Sequence, residues 1–265
     1  DLSLEMVERV EEIPYRGDFF DLEVQSPEKP YGIFMHGLSL FSHNCQNFHV
    51  TYDSSSKPVS PSEAARILTA ARRVYGVDRM AISGGEPTAN RKWLIEFFRE
   101  LKKLNPDEKA RLHLDSNGTL LTKDYIDELV ESGVTDIGVE PKGARLSTFM
   151  RITGLIDGEL ALRYMRTQWE ALKYLVDEYK SKIFIGVGIP YNRALITLDE
   201  VLEIGERIAS IDPELQVVVL DYFPTFKRRW LVRPDPQEML KLKRMLNGVG
   251  LKTVIVQTSI GHFGP

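Results

Sequence analysis

The residues best suited to chemistry fall in short polar segments, each directly behind an apolar run. Ser83-Gly84-Gly85-Glu86-Pro87-Thr88 follows Met80-Ala81-Ile82. Two adjacent glycines carry no side chain, so the main chain there can come within hydrogen-bonding distance of a ligand. Glu86 adds an acceptor for a ligand ammonium group, and Pro87 stiffens the turn. Taken alone, the segment reads equally as a glycine-rich turn with an exposed acid. Asp115-Ser116-Asn117-Gly118 and Glu140-Pro141-Lys142-Gly143 stand in the same position behind later apolar runs. Further upstream, His36, His43, Cys45 and His49 have donor types and a tolerable spacing for zinc, although histidines in such a loop are commonly just solvated polar residues.

These segments need a frame that presents them together. Residues 19–24 alternate as a short strand does, and 31–36 form a continuous apolar run bounded by Pro30 and Gly37. Residues 38–60 predict a long irregular connection containing Cys45, the single cysteine. Regular alternation then begins. Ser60-Pro61-Ser62-Glu63 has the N-cap serine, first-turn proline and third-position glutamate of a helix start, and that helix runs to Tyr75 before Gly76. The pattern predicts strands over 79–83, 111–115, 135–140, 183–189, 216–221 and 252–257. It predicts helices over 61–75, 91–104, 122–131, 159–179, 198–210 and 235–246, with 144–158 a second long connection. Strand and helix in repeated alternation give an α/β fold of parallel strands, whether the sheet opens flat or curls into a full or partial barrel. In such folds ligands sit outside the carboxyl ends of the strands, so the segments at 37–45, 84–88, 116–118, 140–143, 190–192 and 222–226 would border one site.

The composition narrows the classes. The chain has 265 residues, 43% hydrophobic and 27% charged, with a formal net charge of -4, enough for one large core and no whole-chain case for nucleic acid or anionic membrane. No apolar run approaches the roughly 20 residues of a membrane span. The residues Asp1 to Met6 lack a signal-peptide core, and one cysteine gives no intrachain disulfide framework, so a cytoplasmic protein is expected. A Gly-x-Gly-x-x-Gly dinucleotide turn, a phosphate-binding loop and a Gly-x-Ser-x-Gly nucleophile turn are all missing from the sequence.

Gly84-Gly85-Glu86-Pro87, Asp115-Ser116-Asn117-Gly118 and the loop ending in Cys45-Gln46-Asn47 together resemble the radical S-adenosylmethionine (SAM) superfamily. The resemblance runs in order and spacing over about 31–257, and the branch is that typified by pyruvate formate-lyase activating enzyme. It implies a single domain over 1–265, with a core of 31–257 and an N-terminal extension of 1–30. It also implies a partial (β/α)6, TIM-like barrel, SAM, and a [4Fe-4S] cluster that cleaves SAM reductively. The product is a 5′-deoxyadenosyl radical that abstracts hydrogen from a substrate, whether small molecule, protein or RNA. Flavodoxin or ferredoxin would supply the electron. By the same resemblance Gly84, Gly85 and Glu86 would hold the amino group of SAM. Ser116 and Asn117 would lie near its carboxylate and ribose, as would Glu140 or Lys142. Val187 to Ile189 and Tyr222 would border the adenine. Lys142 reads equally as a solvated loop lysine.

One departure from the family pattern matters. Its three cysteines are spaced Cys-x3-Cys-x2-Cys; with the last on Cys45 the others fall on Leu38 and Ser42. Leucine has no donor atom, and a hydroxyl is a poor substitute for thiolate at a soft cluster. Three explanations stand: substitution at these positions, a degenerate member that binds SAM or a partner without radical chemistry, or another metal on His36, His43, Cys45 and His49. An α/β-barrel enzyme using acid/base chemistry at Asp115, Glu140 and Lys142 is a further alternative. Lys227, Arg228, Arg229 and Arg233 form a basic patch that could receive an anionic substrate, or simply a solvated charge run; Arg145 and Arg151 face the same choice. His262 stands in a tail that reads as a frayed end or a cover over the site, and Trp93 and Trp169 read as packing residues.

Overall fold

The computed structural model describes residues 58–265 other than Gly84, Phe226 and Lys227. The strands expected over 19–24 and 31–36, the loop up to residue 57, and the candidate metal ligands Cys45, His36, His43 and His49 with Leu38 and Ser42 lie outside the described residues.

Helix α1 (Pro61–Tyr75) begins where the sequence places it. Ser60 Oγ accepts the Glu63 N–H at 3.3 Å, and the helix ends on Gly76 at φ 63°, where its N–H reaches Arg72 O. There follow β1 (Arg79–Ile82), a 3-10 turn (Pro87–Ala89), α2 (Arg91–Leu104), β2 (Arg111–Ser116), α3 (Lys123–Glu131) and β3 (Asp136–Val139). The chain continues with α4 (Leu146–Thr153), α5 (Gly158–Tyr179), β4 (Phe184–Tyr191), α6 (Leu198–Ile211), β5 (Gln216–Asp221), α7 (Pro236–Gly248), β6 (Thr253–Thr258) and β7 (Gly261–Phe263).

The strands lie in one sheet in chain order, β1 to β6 parallel and β7 antiparallel to β6. The sheet curls into a half-barrel, the expected partial TIM-like form. Helical crossovers of one hand place each strand beside its predecessor and every helix on the same side. Strand pleating then sorts the residues. Leu112, Leu114, Ile137, Val139, Ile185, Val187, Ile189, Val217, Val219, Val254 and Val256 face the helices and form the core with Leu94, Phe97, Phe98, Ile126, Leu129, Leu172 and Leu242. The intervening residues, among them Arg111, His113, Asp115, Gly138, Gly186 and Gly188, line the concave face.

Four readings change. Residues 144–158 contain α4, which buries Thr148, Phe149, Ile152 and Thr153 and ends on Gly154 at φ 80°. A helix of 8 residues spans barely two turns, too short for its periodicity to stand out. The helix expected from 122 starts at Lys123, with Thr122 at its N-cap making no side-chain cap bond. Pro190 is inside β4, opposite Leu220, rather than beyond its end. The tail is a paired strand, with His262 opposite Gln257, so it does not fray. Trp169 is buried in the core and Trp93 stacks on Phe97 with centroids 5.3 Å apart, as packing residues do. Among the described residues no helix is long and apolar enough to cross a membrane.

Candidate functional site

Parallel pairing brings the carboxyl ends of β1 to β5 to one edge of the half-barrel, and the described parts of the polar segments behind these strands open there. Behind β1, Gly85 takes φ 55°, a conformation natural for glycine, and Glu86 caps the 3-10 turn. The Glu86 side chain does not point outward as an exposed acid. It is buried, and its carboxylate is filled by the protein. Oε1 accepts the Ser116 hydroxyl at 2.8 Å, the Thr88 hydroxyl at 2.5 Å and the Thr88 N–H at 3.2 Å, and Oε2 accepts the Asn117 N–H at 2.8 Å. Glu86 therefore ties the loop behind β1 to the loop behind β2. Burial pushes its carboxyl above the ordinary range, against the pull of the Thr88, Asn117 and Ser116 donors.

The second loop is shaped by its own side chains. Ser116 Oγ accepts the Gly118 N–H at 3.0 Å, and Asn117 Oδ1 accepts the Thr119 N–H at 3.0 Å and hydroxyl at 2.6 Å. With Oδ1 occupied, Asn117 Nδ2 is the group left to donate to an incoming acceptor. Gly118, at φ 76°, packs so tightly that a Cβ would stand 2.9 Å from Val139 Cγ1. Only glycine meets both demands.

Behind β3, Lys142 Nζ is paired with Glu140 Oε1, so Lys142 is not a solvated loop lysine. The pair lies over the bare strand of β4: a Cβ on Gly188 would come within 3.2 Å of Glu140 Cγ. Glu200, buried on α6, holds this loop from below by accepting the Ala144 and Arg145 N–H groups at 3.0 and 2.9 Å and the Thr148 hydroxyl at 2.6 Å. Removing those acceptors by Glu200→Ala strands three donors. Urea denaturation should show a loss of about 2–4 kcal/mol. Glu203→Ala, at an exposed pair with Arg145, should lose less than about 1 kcal/mol.

Val187, expected beside the adenine, brings no side chain to the concave face. Its side chain is 2% exposed and sits in the core, because its parity in the strand points it toward the helices. At that level β4 offers only Gly186 and Gly188 to the concave side. Tyr222 does stand at the edge, its N–H bonded to Tyr191 O at 2.9 Å. Asn192 fastens the β4 end to the segment behind β5, donating to Tyr222 O and Val232 O, both at 2.9 Å.

Sequence reasoning placed Asn192 only within the segment 190–192, and it missed Glu200 and His113. The last is buried on the concave face, with Nε2 2.7 Å from Asp115 Oδ1 and Arg79 against its ring. The polar spacing Arg111, His113, Asp115 at alternate positions of a strand is the signal that would have found it. Among the described residues no three His, Cys, Asp or Glu side chains converge as a metal-binding group.

Known proteins share this architecture. Residues 43–202 match the family model described as the Radical SAM superfamily. A protein of Methanocaldococcus jannaschii, named provisionally as a glycyl-radical enzyme activating enzyme, is 26% identical over 215 residues, 78% of this chain and 76% of its own. One of Methanococcus aeolicus, named provisionally as a GTP 3′,8-cyclase, is 30% identical over 100 residues. That match takes in 38% of this chain and spans only 32% of the cyclase. Among solved structures, a domain of pyruvate-formate lyase-activating enzyme from Bacteroides vulgatus superposes with a TM-score of 0.50 at 14% identity, covering 67% of this chain and 97% of that one. At that identity the likeness speaks for the fold.

Proposed function

Because the chain belongs to the radical SAM superfamily, whose model matches more than half of it, we propose that the β1 to β5 edge of its half-barrel binds SAM. The observation that carries this is the Glu86 clamp, which holds the glycine-rich turn and the Ser116-Asn117-Gly118 turn as one unit. In this reading the amino group of SAM is held by main-chain carbonyls of the turn at Gly84, Gly85 and Glu86, and the Glu86 carboxylate positions them. Asn117 Nδ2 donates to the SAM carboxylate, the Glu140–Lys142 pair flanks the same end, and Tyr222 borders the adenine.

SAM and the cluster part company at this point. The turn residues fit SAM, whereas the donor set does not fit a [4Fe-4S] cluster: the sequence holds one cysteine, with Leu38 and Ser42 at the other two family positions. The chain is thus a SAM-binding member whose reductive cleavage chemistry awaits two missing thiolates. With them restored, a one-electron donor such as flavodoxin or ferredoxin and a substrate with an abstractable hydrogen would be required.

Titration calorimetry of the chelator-treated, iron-free chain tests the binding claim. Saturable heat on adding SAM is expected. A folded chain that gives none refutes the reading.

A further inference from the structure

Most cations around the mouth of the half-barrel are neutralised within the protein. Arg233 bonds the buried Asp221 at 2.6 Å and lies over the Phe223 ring, Arg145 pairs with Glu203, Arg193 with Glu238, and Lys142 with Glu140. Arg228 is different. Its Nη2 donates to the main-chain oxygen of Arg151, and its buried Nη1 has no hydrogen-bond partner among the described residues. The ionisable groups that bear on its charge are the Tyr222 phenol, which favours it, and the Arg151 guanidinium, which opposes it, and among the described residues no carboxylate pairs with either arginine.

Position adds to chemistry. Arg151 is in the last turn of α4, behind β3, and Arg228 is in the segment behind β5. The two segments are locked together by Ile152, Leu195 and Leu231, with Tyr222 packed beside them. Both arginines are therefore fixed at the edge where the strands end. Burying a guanidinium N–H without an acceptor and setting a second guanidinium beside it both oppose folding. Burial indeed pulls Arg228 below the usual arginine range. A planar fork of donors beside a second cation is complementary to an oxyanion, which would satisfy the stranded N–H and offset the like-charge repulsion.

We propose that Arg228 and Arg151 form a subsite for an oxyanion, phosphate or carboxylate, carried by the substrate. The proposal rests on the SAM reading only in calling the ligand a substrate. The oxyanion site itself stands on the two arginines.

Inorganic phosphate, pyrophosphate and succinate are titrated calorimetrically into the iron-free chain at fixed ionic strength. At least one should bind saturably, and whether a phosphate species or succinate binds tighter assigns the group. Arg228→Met and Arg151→Met should each weaken that binding about tenfold. Arg228→Lys, which keeps the charge without the fork, should fall between wild type and Arg228→Met. Lys241→Met, which removes an exposed charge on α7, should match wild type. Circular dichroism melting of each variant confirms folding. The proposal is overturned if no anion binds saturably, if Arg228→Met and Arg228→Lys bind as wild type does, or if Lys241→Met loses as much as they do. A parallel SAM titration of the wild-type chain separates the two claims, since failure there refutes the SAM reading and not the oxyanion site.

Discussion

Glu86→Ala is expected to destabilise the chain by about 3–5 kcal/mol, the largest effect of any single substitution at the site. Two hydroxyls and two main-chain N–H groups converge on this one carboxylate. Alanine removes every acceptor at once, in a place water does not reach. The hydroxyls of Thr88 and Ser116 can rotate to find other partners; the N–H groups of Thr88 and Asn117 cannot. Glu86→Gln is the informative companion. It keeps one oxygen for the hydroxyls but turns an amide NH2 toward one of the other donors, so its loss should be about 1–3 kcal/mol. Urea denaturation ranks the three chains. If Glu86 positions the turn that holds SAM, Glu86→Gln should also weaken SAM binding about tenfold under conditions where it is fully folded. Wild-type affinity in that folded variant would mean that the clamp supports the fold alone.

Leu38→Cys combined with Ser42→Cys should convert a colourless chain into one that takes up iron. Fe–S clusters are held by thiolates, and the sequence offers one where the family pattern has three. Anaerobic reconstitution with iron and sulfide should leave the present chain without visible absorbance and turn the double variant brown. With SAM and a chemical one-electron reductant, the coloured protein should release 5′-deoxyadenosine. A double variant that stays colourless would show that the loop ending at Cys45 is not a cluster loop. One that colours but forms no 5′-deoxyadenosine would show that the scaffold holds SAM out of reach of the metal.

The two results bear on different links. Glu86 tests how the loops behind β1 and β2 are joined, and the cysteines test which donor atoms the chain carries. A protein can pass one and fail the other.

Much of the frame was legible because its signals are local. Ser60-Pro61-Ser62-Glu63 and Gly76 mark both ends of α1 within a few residues of where they act, and α2 and β5 fall where periodicity places them. Strand order, too, follows from chain order once every crossover is helical and of one hand. Local signals fail where an element is short, as with α4, or where its neighbour supplies the reason for it, as with β7 against β6. The roles of charged side chains are harder still. Glu86 reads as an outward acid because Thr88, its near partner, supplies only two of its four bonds; the partners that join it to the second loop, Ser116 and Asn117, are 30 and 31 residues away. The basic patch reads as one feature until packing divides it. Arg233 then has Asp221 and Arg145 has Glu203, while Arg228 is left with a stranded N–H. Residue type and spacing were enough to single out these loops as the borders of one candidate site. Which carboxylate holds the loops and which arginine keeps a stranded N–H depends on distances between residues far apart in the chain. Those distances exist only once the sheet has curled and the helices have closed over its outer face.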